Sequence, residues 1–236
     1  MKLGKAPAQH RVSTKLFSSY VTSLDWLGAI PDVDWRAGLP ESTPDFGNLT
    51  YGCCGPASVA NAKMVANSAH GFSTTPSTAD VLAWYAGDTG FRADDPSTDN
   101  GVVLVDLLGW MVKNGIIDAL VSVNFRDPRE MAAAEYLFGG TINGAMLPVS
   151  AQLAGPWVGK TGALVGDDAP GSWGGHAMYR FKDFISWGMR KPADDQWRLD
   201  YQDEAYAVLL PEWAQPTSVA PNHFAMAELV ADMARL

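Results

Sequence analysis

Apolar residues recur at helical spacing through Val59, Ala60, Ala62, Met64, Val65 and Ala66, directly after Cys54-Gly55-Pro56. Pro56 suits a first helical turn because its φ is preset and it lacks the N–H that such a turn leaves unpaired, and His70-Gly71 offers a glycine stop. The spacing therefore predicts a buried helix over 54–70. A second helix is expected over 77–85 behind a Ser/Thr cap. A third is expected over 102–112, where Val105, Leu107, Leu108 and Met111 repeat before Asn114-Gly115. Residues 120–125 alternate as a strand does, 127–137 read as a helix with Pro128 in its first turn, and 141–149 read as a strand. A Gly/Pro-rich loop over 154–175 precedes short strands at 177–181, 184–187 and 205–210. Helices first and sheet later is an α+β order.

The flanks differ from this centre. Residues 1–25 are polar and read as an N-terminal arm that clasps something else. Residues 26–213 read as one domain, and 214–236 as a tail helix behind Pro211 and Pro216. A chain of 236 residues can bury one good core, and 47% hydrophobic with 18% charged residues is ordinary for a folded enzyme. The net charge of -9, with 17 basic residues scattered along the chain, argues against a nucleic-acid partner. No window reaches membrane-spanning length, and no apolar run near Met1 resembles a signal peptide. Localisation in the cytoplasm or a phage virion is expected, with no membrane partner.

The two cysteines, Cys53 and Cys54, are neighbours and are expected to be free thiols, because a disulfide needs separated Cα atoms. Burial as a small hydrophobe is the commoner fate of a lone cysteine. Cys54, however, stands at a helix start, where unpaired N–H groups favour a thiolate, and Gly52 can form the tight turn that presents it. Cys53 is read as packing. Of four histidines, His10, His70 and His223 fall in the arm, at a helix end and in the tail. His176 differs, because Gly171-Ser172-Trp173-Gly174-Gly175 delivers it onto a strand with room alongside for a substrate backbone. Cys54 and His176 are thus the candidate nucleophile and base.

The order of elements, with Cys54 opening the first helix and Gly174-Gly175-His176-Ala177 opening a late strand, resembles the papain-like cysteine peptidases over about 32–210. The resemblance implies a helical lobe, led by the nucleophile helix, packed against an antiparallel sheet or barrel. It implies that Asn48, six residues before Cys54, donates to an oxyanion. It further implies that Gly52, Asn100, Gly101, Gly175 and Trp187 line the substrate cleft. Ile185-Ser186-Trp187-Gly188 looks like the family's Asn-Ser-Trp-Gly, which puts Ile185 where the family has the asparagine that orients the imidazole. Gly55 likewise stands where the family usually has an aromatic residue. Leu137-Phe138-Gly139-Gly140 and Pro148-Val149-Ser150-Ala151-Gln152 look like little-characterised papain-like proteins of bacteriophages and bacteria.

The resemblance implies a thiol hydrolase: Cys54 attacks an amide or isopeptide bond, His176 moves the proton, and Asn48 with the Cys54 N–H holds the oxyanion. Its partner would be a peptide or protein substrate. The alternative is a catalytically impaired scaffold, such as a phage virion or assembly protein, binding other virion chains or copies of itself through its cleft or termini. Ile185 favours that alternative. Amide transfer by the same dyad stays open as a third. No cofactor is expected and no metal. The cysteines lack zinc spacing, Gly159-Lys160-Thr161-Gly162 lacks the first glycine of a phosphate loop, and the pairs Asp94-Asp95, Asp167-Asp168 and Asp194-Asp195 read as solvated loop residues.

Overall fold

The computed structural model describes residues 1–21, 33–71 and 74–213. The expected tail helix lies outside these residues. Three helices come first, α1 (Cys54–Ala69), α2 (Thr78–Thr89) and α3 (Leu104–Lys113), followed by strand β1 (Ala119–Ser122), helix α4 (Pro128–Phe138) and strand β2 (Thr141–Leu147). The chain then runs through β3 (Gly174–Phe181), β4 (Asp183–Ser186), β5 (Met189–Lys191), α5 (Asp195–Tyr201) and β6 (Gln202–Leu209). Side chains fix several helix ends. The Ser77 hydroxyl accepts from Asp80 N while the Asp80 carboxylate accepts from Ser77 N, a reciprocal cap on α2. Asp127 caps α4 ahead of Pro128, and that helix stops at Gly139 in the left-handed region. Asp194, read from sequence as solvated, accepts from Trp197 N and starts α5. Both α5 and β5 were absent from the expected elements, being too short for any periodicity to register.

The six strands form one antiparallel sheet in the order β1-β6-β2-β3-β4-β5. Alternation along each strand sorts its side chains between two faces. Ala177, Tyr179, Phe181 and Ile185 pack with Val59, Val65, Leu107 and Met111 on the face covered by α1 and α3. Met178 and Phe184 turn to the opposite face, against Trp157, Trp197 and Tyr201. On β6, Tyr206 and Val208 join the first face, while Ala205, Ala207 and Leu209 pack near α4. This is the expected helical lobe against an antiparallel sheet.

The N-terminal arm clasps the chain's own body. Lys5 bridges Val102 in parallel, and Leu16 bridges Ser122 in parallel. Phe17 and Tyr20 are buried beside Phe138, Met131 and Leu137 of α4. Among the described residues no helix is long and apolar enough to cross a membrane.

Candidate active site

The turn into α1 is tied down from both sides. Asp45 Oδ1 accepts from Gly47 N at 3.2 Å, and Tyr51 N donates to Gly47 O at 2.9 Å. Gly52 N donates to Asp99 Oδ1 at 2.9 Å, and the same oxygen accepts from Tyr85 Oη at 2.9 Å. A Cβ at Gly52 would stand 2.8 Å from that carboxylate, so the turn needs glycine. Cys54 then opens the helix with its Sγ 3.4 Å from Ala177 N, which donates to it. Gly55 cannot be aromatic in this chain. A Cβ there would meet Leu107 Cδ2 at 2.6 Å and Val102 Cγ2 at 2.8 Å, because α1 packs directly on α3.

His176 comes from β3 and is wholly buried. Its ring stacks on Trp187 with centroids 3.9 Å apart and planes 12° from parallel, and Trp187 stacks in turn on Trp173. Nε2 lies 2.6 Å from Ser186 Oγ. Nδ1 has no hydrogen-bond partner among the described residues. If Nε2 carries the proton and donates to Ser186, the Nδ1 lone pair is left free to accept one. The polar partner that Ile185 cannot offer the ring thus stands one residue later, at Ser186. Tyr179 pairs with Ile185 and shares its face, so Ser186 turns to the other face with Met178 and His176. Ile185 is buried against the helices instead.

Residues 2–6 run through the space between these two walls. Lys2 N donates to Asn48 O at 3.3 Å, and Lys2 O accepts from Trp187 Nε1 at 3.0 Å and from Asn48 Nδ2 at 3.5 Å. Farther along, Val102 N donates to Gly4 O and Ala6 N to Val102 O, both at 2.8 Å, while Lys5 N donates to Gly175 O at 3.1 Å. Glycines on the walls make this close approach possible. A Cβ at Gly101, whose φ is +73°, would stand 2.3 Å from Gly4 O, and one at Gly175 would stand 2.1 Å from Lys5 O. The arm thus touches Asn48, Gly52, Gly101, Gly175 and Trp187, while no hydrogen bond joins Cys54 Sγ to His176 Nδ1 among the described residues. Asn100 does not join them: it is exposed, and its amide donates to Ser97 O at 3.0 Å.

Covered by the arm, both candidate groups are neutral. Burial pushes the Cys54 thiol up to about 11, against the opposing pull of the Ala177 N–H. Burial pushes the His176 imidazole down to about 3, and the nearby Lys5 ammonium adds to the effect. Cys53 is buried too, with its Sγ 3.7 Å from Phe46 O, and its thiol is pushed up further still. Among the described residues no group of His, Cys, Asp or Glu could hold a metal ion.

No family model and no curated protein matches the chain. Among solved structures it is similar to xylellain, a cysteine protease from Xylella fastidiosa, with a TM-score of 0.61 over 88% of this chain and 96% of that one, at 13% identity. The fold is papain-like. Within that papain-like frame, the hydroxyl of Ser186 and the arm residues Gly4 and Lys5 escaped the sequence reading. Alternation could have found Ser186, since neighbours on a strand face opposite ways. Nothing local in the sequence marks Lys5.

Proposed function

We propose that this chain is a papain-like thiol hydrolase that cleaves amide bonds in peptides or proteins. The observation carrying this reading is that the chain's own residues 2–6 lie extended against the turn before Cys54, held by main-chain hydrogen bonds to Val102 and Gly175. A substrate backbone would use the same partners. Cys54 Sγ attacks the carbonyl carbon, and His176 Nδ1 takes the thiol proton and passes it to the leaving amine. The resulting thioester is hydrolysed by water with His176 as base. Asn48 Nδ2 and the Cys54 N–H stabilise the oxyanion, and Ser186 holds the imidazole.

In the covered state the thiol keeps its proton, so hydrolysis requires the arm to leave. Water entering the groove relieves the burial that raises the thiol, and the start of α1 then favours the thiolate. The decisive experiment is hydrolysis of a broad peptide library by the wild type and by Cys54→Ala, before and after displacement of the arm. Cleavage that appears on displacement and vanishes in Cys54→Ala supports the reading; its absence throughout refutes it. The burial of both Cys54 and His176 favours a second reading, a scaffold whose groove is permanently filled. Under it, Cys54 stays unreactive however the arm is perturbed.

A further inference from the structure

Lys5 is a buried cation of the arm. Its ammonium has no solvent exposure and lies 2.8 Å from Asp203 Oδ2, 3.0 Å from Glu204 Oε1 and 2.9 Å from Ala6 O. Ala6 O and Asp203 Oδ2 accept hydrogen bonds from it, and Glu204 Oε1 adds an ion-pair contact. The pocket is shaped for such a side chain. A Cβ at Gly144 would stand 2.1 Å from Lys5 Cε and 2.6 Å from Glu204 Cγ, so glycine there opens the passage to the carboxylates. Glu204 is itself fixed by Tyr206 Oη, which donates to Oε2 at 2.9 Å. Its side chain is only 5% exposed, so without a cation a largely buried carboxylate would stand beside a second one, which is costly. At the other end of the groove, Lys2 pairs with Asp99 at 3.3 Å.

We propose that Asp203 and Glu204, reached past Gly144, form a subsite beside Cys54 that takes the lysine or arginine side chain of a peptide, with Lys5 as its resident occupant. This rests on the hydrolase reading of the groove and narrows its substrate class to peptides with a basic residue near the cleaved bond. The main-chain bonds to Val102 and Gly175 hold any residue equally. The carboxylate pocket is where the identity of the side chain is read.

The test uses the full chain carrying Lys5→Met, which keeps the length of the side chain and removes its charge. Fluorescent hexapeptides copying residues 2–7, with Lys, Arg or Leu at the position of Lys5, are titrated by anisotropy and separately assayed for cleavage. The Lys and Arg peptides are expected to bind at least about tenfold more tightly than the Leu peptide, a preference lost when Asp203→Asn and Glu204→Gln are added. Equal binding of the three peptides, or none by any at millimolar concentration, overturns the subsite. Preferential binding without cleavage keeps the subsite and sinks the hydrolase. Cleavage of all three at equal rates does the reverse. If Lys5→Met does not fold, Gly4→Ala, which leaves the pocket intact and crowds the arm against Gly52, takes its place.

Discussion

Ser186 Oγ lies 2.6 Å from His176 Nε2 and is the polar group that fixes the candidate base in its pocket. Ser186→Ala should leave the ring stacked on Trp187 but its Nε2 unpaired. A buried group left so costs about 1–3 kcal/mol, or roughly ten- to a hundredfold in kcat if the loss falls on the transition state. A KM left nearly unchanged would mark the effect as one on orientation rather than on binding. Ile185→Asn, by contrast, should not raise activity, because that side chain faces the helices. It should lower stability by about 1–3 kcal/mol, read as a shift in the denaturant midpoint.

Asn48 offers the second polar contribution. Its Nδ2 is held by Tyr51 O at 3.1 Å and reaches Lys2 O at 3.5 Å, so the amide already touches a carbonyl within the groove. Loss of one oxyanion donor typically costs about 3 to 4 kcal/mol, so Asn48→Ala should slow turnover by roughly a hundred- to a thousandfold with substrate binding nearly intact. An unchanged kcat would remove Asn48 from the machinery.

The arm's fit over Gly52 gives a direct handle on access. A Cβ at Gly4 would stand 2.0 Å from Gly52 O, so Gly4→Ala cannot keep the observed seat. Alkylation of Cys54 by iodoacetamide at neutral pH should quicken about tenfold for each 1.4 kcal/mol of arm binding lost. Cys53, buried against Phe46, should stay protected. Peptide mapping of the labelled protein separates the two neighbours.

Stability should depend on pH through the same two groups. His176 is held near 3 in the folded chain against about 6.5 for an unperturbed imidazole, so between these pH values the unfolded chain binds a proton that the folded one refuses. Stability is therefore lost as pH falls below about 6.5, by up to about 1.4 kcal/mol per pH unit from this group. Cys54 acts at the other end: raised from 9.0 to about 11, it makes stability fall as pH rises through that interval. Urea titrations of wild type and His176→Gln across about pH 4 to 7, which covers most of the interval in which only the unfolded chain binds this proton, should show a shallower slope in the variant. Parallel slopes would mean that His176 is already charged when folded.

The sequence made Cys54 and His176 legible because local chemistry surrounds them: Pro56 and a run of small residues mark the helix, and Gly174-Gly175 marks the strand. Ser186 was passed over for Ile185 because matching by position ignores which way a strand residue faces. Asn100 was named where its neighbour Asp99 does the work, holding Gly52 and Tyr85 through one oxygen. Lys5 and Asp203 meet across 198 positions of sequence, and no periodicity reports a contact of that separation. The arm was expected to pack against another chain or to wrap the body, and its polar character alone could not distinguish the two.

The bridge at Val102 and the bridge at Leu16 pin the arm at two places with a short span of chain between them. A ligand tethered in this way experiences an effective concentration of order millimolar, set by the span and not by how much protein is present. A free peptide of the same sequence would have to reach that level to compete on equal terms. A single cut in the exposed stretch around Val12 would reduce the arm's local concentration to that of the protein itself, and dilution would then empty the groove without any change in the contacts that fill it.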